Sequence, residues 1–162
     1  MDGVLADFEK KFQEFFGHPS KINGKYPKDW WEHWKLFVEN DLFEFLEPFP
    51  KSNQLLTFIN DELVDKHNVV VQILSASGGA FSHERVRRQK LAWLYKHNIW
   101  YKPNIVANKH QKRAFASENS ILIDDNVGNC EQFTESGGTS IIHTDGTVTI
   151  NKLQEFIDKN RF

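Results

Sequence analysis

Three carboxylates at two places in the chain could act on one ligand. Asp2 opens the stretch Asp2-Gly3-Val4-Leu5-Ala6-Asp7-Phe8, and Asp124 and Asp125 end the run Ile121-Leu122-Ile123-Asp124-Asp125-Asn126. Residues 121–123 are apolar and rich in β-branched isoleucine and stop abruptly at two adjacent acids, as a buried parallel strand does when it delivers ligands at its carboxyl end. Open α/β sheets bind ligands in the crevice outside those ends, so paired acids facing a second acidic loop predict a divalent-metal site. A helix N-terminal cap pair is the plainer role for Asp124-Asp125, but it leaves the other motifs unexplained. A further strand, Val69–Leu74, ends in Ser75-Ala76-Ser77-Gly78-Gly79. A hydroxyl and glycines after a parallel strand make an anion-binding turn, so Ser75 and Ser77 are candidate phosphate ligands.

The elements that must position these groups follow from periodicity. Phe8, Phe12, Phe15 and Phe16 stand at helical spacing and predict a helix over 6–16 ending near Gly17. Residues 17–29 are rich in Gly, Pro, Ser, Asn and Lys and read as loop. A second helix begins at Asp29 with Trp30, Trp31 and Trp34, and a short helical turn over 40–46 precedes Glu47-Pro48. Three tryptophans within five residues cannot all share one helix face, so at least one is expected to face a cleft while the others make core. Beyond Pro50 come a helix over 51–67, the strand at 69–74 and a helix over 82–97. That helix carries Arg85, Arg87, Arg88 and Lys90. A short strand at 103–107, a basic segment with Lys109 and Lys112, the acidic strand, a helix over 128–136, a strand over 139–143 and a closing helix over 151–160 complete the order. Alternating strands and helices predict an α/β fold with a parallel sheet flanked by helices and right-handed crossovers.

Composition bounds the class. The 162 residues are 40% hydrophobic and 26% charged, enough for one domain with a real core. A net charge of −2 gives no overall positive field, so no long nucleic acid is expected as a partner. The single cysteine, Cys130, excludes an internal disulfide and a Cys-rich zinc site, and a reducing cytoplasm is the simplest compartment. No apolar run reaches membrane-spanning length, so no membrane partner is expected. A homodimer is compatible with the sequence, which leaves the oligomeric state open.

Taken together, Asp-Gly-Val-Leu-Ala-Asp-Phe, the strand ending in Ser75, and Ile-Asp-Asp resemble the haloacid dehalogenase (HAD) superfamily of phosphohydrolases, and within it the 5'(3')-deoxyribonucleotidases. The resemblance implies a Rossmann-like HAD core over 1–16 and 48–162, with a small helical cap inserted at 17–47. It implies a magnesium-dependent phosphomonoesterase that releases phosphate from (deoxy)nucleoside monophosphates through an aspartyl-phosphate, with a small nucleotide as the substrate. Carried over by motif, Asp2 is the general acid and base and lends its backbone carbonyl to Mg2+. Asp124 and Asp125 complete the metal site, one of them directly. Ser75, Ser77, Lys90 in Lys-Leu-Ala-Trp, and Lys112 in preference to Lys109 hold the phosphate. Phe8, with one or two of Trp30, Trp31 and Trp34, lines the base pocket.

The family motif places its nucleophilic Asp two positions before the acid–base Asp, which here falls just ahead of Met1. A strand leading into that position would lie between the strands at 69–74 and 121–123. Without it, two rows of backbone donors and acceptors are expected to go unpaired, each costing about 1–3 kcal/mol when buried. The sequence is therefore expected to start at an internal methionine of a longer, active protein. Two alternatives stay open. One is a non-catalytic protein that binds nucleotides or a partner through the cleft, its sheet completed by another chain. The other is a 3'-phosphatase on nucleic-acid ends, with a basic groove around Arg85, Arg87 and Arg88.

Overall fold

The computed structural model describes residues 1–159. A two-residue strand β1 (Ala6–Asp7) runs straight into helix α1 (Phe8–Phe16). The helix starts two residues later than its apolar spacing predicts, because Ala6 and Asp7 pair antiparallel with Pro48 and Glu47 of β2 (Glu47–Pro48). Asp7 then caps the helix by accepting from the Lys10 amide at 3.0 Å. Gly17 ends it in a left-handed conformation, φ 78°, which glycine adopts at no steric cost. The β1–β2 pair pins both ends of the segment between them, and Lys10 and Glu47 reinforce it with an ion pair at 2.5 Å.

Within that segment lie α2 (Trp30–Glu39) and a 3-10 turn, Leu42–Phe45. Asp29 stands at the start of α2 but makes no side-chain cap bond. Phe12, Phe37 and Phe43 are fully buried, with Phe8, Phe16, Trp30 and Trp34 packed around them. Helix α3 (Ser52–Phe58) continues through a wider π turn, Ile59–Val64, and packs against the closing helix α6 (Gly146–Asp158). Helix α4 (His83–Lys96) packs on the 42–45 turn. The closing helix begins earlier than expected, since Asp145 caps it by accepting from the Thr147 amide; residue 160 of the expected span lies outside the described residues.

The parallel strands form two separate pairs. Strand β3 (Gln72–Ala76) pairs with β4 (Lys102–Val106), and β5 (Ile121–Asp124) pairs with β6 (Thr139–Ile142). Helix α5 (Val127–Glu135) lies against β5 and β6. The strand expected at 69–74 is shifted along the chain to 72–76, because pairing begins only where Gln72 meets Lys102. Val69–Val71 have no strand beside them, and Val70 is 82% exposed. No backbone bond joins β3 to β5 among the described residues. A cleft of about 940 Å³ lies between them instead, lined by Leu55, Ile59, Leu63, Ile73, Leu122 and Leu153 among others.

Candidate active site

Helix α4 puts Lys90 one turn beyond the buried Val86, so its side chain enters the interior. Lys90 Nζ donates to Ser75 Oγ at 2.9 Å, to the Ala76 carbonyl at 2.7 Å and to the Asp2 carboxylate. It also lies 4.8 Å from the centre of the Phe43 ring. The ammonium is fully buried, and burial pulls its pKa below the usual lysine value against the opposing pull of Asp2. Asp2 Oδ1 is buried with no hydrogen-bond partner. A polar oxygen in that state is costly unless a ligand, a proton or water meets it.

A second ion pair sits beside the first. The 3-10 turn Lys109–Phe115 is fixed by a reciprocal cap between Asn108 and Gln111, and it sends Lys112 inward. Lys112 Nζ donates to Asp124 Oδ2 at 2.6 Å, while the Asn126 amide and Asn129 Nδ2 each donate to Asp124 Oδ1 at 2.9 Å. Burial alone would raise the Asp124 pKa; Lys112 and these two donors overcome it and hold the carboxyl below its ordinary value. The neighbouring Asp125 goes the other way, raised first by burial and then by the Asp124 charge. Gly3, at φ +68°, lies against the Asp125 carboxylate, where any Cβ would collide with it.

A pocket of about 370 Å³ opens beside both ion pairs, though Lys90 and Asp124 are not among its lining residues. Asp2, Ser75, Lys112, Asp125 and Phe8 line it, with Lys109 and Asn126 beside them. Among the described residues, no group of three or more His, Cys, Asp or Glu side chains is clustered as a ligand set. The donors still suit a hard cation. Asp2 Oδ1 is unpartnered, and no other described residue donates a hydrogen bond to the Asp125 carboxylate. Mg2+ characteristically takes one or two carboxylates and keeps water and phosphate for its remaining positions.

Other expected residues lie elsewhere. Ser77 turns away: its hydroxyl meets His83 Nδ1 at 2.8 Å and the Ala107 carbonyl at 3.3 Å. Trp30 stacks on Phe12 and makes a tilted contact with Tyr26, and Trp34 packs against Phe8, Phe43 and the turn at Gly78. Neither lines the pocket, because both pack into the aromatic cluster around Phe8, Phe12 and Phe43. Trp31, 67% exposed, points to the outside of α2. Arg85 and Arg88 both bind Asp41, so two members of the expected basic groove are spent on a structural contact.

Several pocket residues carry no signal in the sequence. Ser20, Lys21 and Tyr26 come from the 17–29 loop, whose composition signals only a turn. Asn129 was legible in principle, since an Asn three residues beyond the Asn126 cap falls back over the strand end. His143 lines the same pocket with Nε2 buried and unpartnered, its Nδ1 held by Thr149 at 2.8 Å.

No curated protein and no solved structure matches the chain. One family model does: that of the 5' nucleotidase, deoxy (Pyrimidine), cytosolic type C proteins, over residues 1–155. The match spans nearly the whole chain. The chain belongs to this family of nucleotidases, hydrolases of phosphoric monoesters in the HAD superfamily.

Proposed function

We propose that the protein is a magnesium-dependent 5'(3')-deoxyribonucleotidase that takes deoxynucleoside monophosphates in the 370 Å³ pocket. The observation that carries this reading is the buried Lys90 ammonium held between Ser75 Oγ and the Asp2 carboxylate. A cation so placed is preorganised to neutralise a phosphoryl oxygen where water is excluded. Ser75 Oγ donates to a second phosphoryl oxygen once Lys90 turns to the substrate. Lys112, on the pocket wall, holds Asp124 in its ionised form and adds positive charge beside the phosphate.

In this reading Asp2 moves the proton. Its Oδ1, free of other partners, gives a proton to the departing ester oxygen and then takes one from the attacking water. Asp125, the Asp2 backbone carbonyl and Asp124 would hold Mg2+. When bound, the ion offsets the charge of the phosphate. An aspartyl-phosphate needs an attacking carboxylate two positions before Asp2, a position that precedes Met1. Residues 17–47 act as a cap, and Phe8 presents an aromatic face to the base. The cytosol is the compartment in keeping with the family's description.

The test is phosphate release from a panel of deoxynucleoside 5'- and 3'-monophosphates, with and without Mg2+. The chain is extended upstream of Met1 by an apolar run carrying Asp two positions before Asp2. Mg2+-dependent release that disappears when that Asp is changed to Asn is the expected result. Faster hydrolysis of oligonucleotide 3'-phosphate ends than of any monophosphate would overturn the substrate class.

A further inference from the structure

One buried nitrogen of the 370 Å³ pocket has no hydrogen-bond partner, Nε2 of His143. His143 follows β6, and its amide donates to the Asp124 carbonyl at 2.8 Å, so it prolongs the β5–β6 ladder. Ile142 is the register partner of Asp124, and His143 and Asp125 therefore stand side by side just beyond it. Both line the pocket. His143 does not border the edge of β5 that faces β3, since β6 takes the opposite edge. Its ring is held on two sides. Phe49 meets it edge-on with centroids 5.7 Å apart, and Nδ1 lies 2.8 Å from the hydroxyl of Thr149, a fully buried residue in the first turn of α6. Among the described residues that hydroxyl has no other hydrogen-bond partner. A neutral imidazole carries one N–H. Were the proton on Nδ1, the Thr149 O–H would be left buried without an acceptor, at a cost of about 1–3 kcal/mol. The hydroxyl donates instead, and the ring proton sits on Nε2.

We infer that His143 is a positioning residue for the metal centre: its Nε2–H, fixed in that tautomer by Thr149, restrains the Asp125 carboxylate through one bridging water. The inference rests on the reading of Asp125 as a Mg2+ ligand. The two groups are complementary, since Asp125 accepts from no other described residue and Nε2–H is a donor without an acceptor. They make no direct bond, and a water between them accepts from the N–H and donates to the carboxylate. Mg2+ demands near-ideal octahedral geometry, so a carboxylate that binds it must be held against swinging. Gly3 confines the Asp125 carboxylate by contact; His143 adds a polar restraint that contact cannot. Turning the imidazole over would put a carbon against the Thr149 hydroxyl, so one hydrogen bond sets both the tautomer and the orientation of the ring. Outer partners of this kind orient the ligands that touch the metal and set its affinity.

The test reads the imidazole and the metal separately, on residues 1–162 at about pH 8, where an ordinary imidazole is neutral. Nitrogen–proton correlation NMR of the metal-free protein is expected to find His143 in the Nε2–H form, and Thr149→Val to move it toward Nδ1–H. In calorimetric titration, His143→Phe and Thr149→Val are expected to weaken Mg2+ binding about 10-fold or more. His143→Gln and Thr149→Ser are expected to stay near wild type, because a glutamine amide N–H reaches the place of Nε2–H and serine keeps the hydroxyl. A role in packing alone predicts equal losses in the Phe and Gln variants, following their urea midpoints. Such equal losses, wild-type Mg2+ affinity in His143→Phe, or an Nδ1–H ring in the wild type overturns the inference and leaves the metal reading standing. Absence of Mg2+ binding in the wild type overturns the metal reading and this inference with it.

Discussion

Gly3 and the carboxylate of Asp125 touch so closely that no side-chain carbon fits between them, and Gly3 holds a φ of +68° that other residues rarely adopt. Gly3→Ala therefore pushes Asp125 out of the pocket and adds about 1–2 kcal/mol of backbone strain. Calorimetric titration with Mg2+ is expected to lose its binding heat, and the urea midpoint to fall. Unchanged Mg2+ affinity in the variant would remove Asp125 from the metal site.

The buried Lys112–Asp124 pair makes an asymmetric prediction. Lys112→Met leaves a buried carboxylate whose remaining donors are only Asn126 and Asn129, and costs about 3–5 kcal/mol. Adding Asp124→Asn to that variant is expected to recover part of the loss, because no unpaired charge then remains. Urea unfolding of the two single variants and the double variant measures the coupling.

Lys90→Gln removes a fully buried cation aimed at the pocket. A hydrogen bond to a charged group is worth about 1.5–3 kcal/mol, so deoxynucleoside monophosphate binding should weaken roughly 10- to 100-fold. Lys90→Arg is not expected to rescue it, since the larger guanidinium has no room beside Phe43 and Ser75. Wild-type affinity in Lys90→Gln would detach this lysine from phosphate recognition.

Acid should destabilise the protein through identifiable groups. The Arg85 hydrogen bond leads the effects that hold the Asp41 carboxyl below its ordinary 3.8, and Lys112 does the same for Asp124 against its burial. A carboxyl depressed on folding contributes stability that is complete above its unfolded pKa and is lost as pH falls through its folded one. Stability to urea should therefore drop between about pH 5 and pH 2, and Asp41→Asn should flatten part of that slope while lowering stability at neutral pH. A slope identical to wild type would show that Asp41 contributes nothing to it.

The neighbouring tryptophans should part company. Trp31→Ala is expected to stay within about 0.5 kcal/mol of wild type, as an exposed position does. Trp34→Ala opens a hole against Phe8, Phe43 and Gly78 and should cost up to about 3 kcal/mol, the low end for a large aromatic that is only half-buried. Thermal unfolding of the two variants distinguishes them.

How legible all this was depends on whether a signal is local. Asp124-Asp125 at the end of an apolar run, and Ser75 after another, were readable because strand ends are marked by an abrupt change of residue type. Lys90 was singled out only by resemblance; on composition it is one of several cations on a basic helix, and its burial depends on Phe43, Asp2 and Ser75 arriving from elsewhere. The short β1 strand was invisible because its partner, Glu47–Pro48, lies some 40 residues away and contains a proline. Trp31 and Trp34 look alike in sequence, and only the position of Phe8 separates them. Gln89 carries no local signal at all. A lone amide among charged neighbours carries no pattern, yet it is fully buried, donates to the Val38 carbonyl and to Asp41, and accepts from the Phe43 amide.

That amide has a mechanical meaning. Gln89 grips the junction between α2 and the 42–45 turn from the residue next to Lys90, and Arg85 and Arg88 hold the same junction through Asp41. The segment that carries α2 and the 42–45 turn, and the ammonium that binds Asp2 and Ser75, are therefore anchored on the same helix, α4.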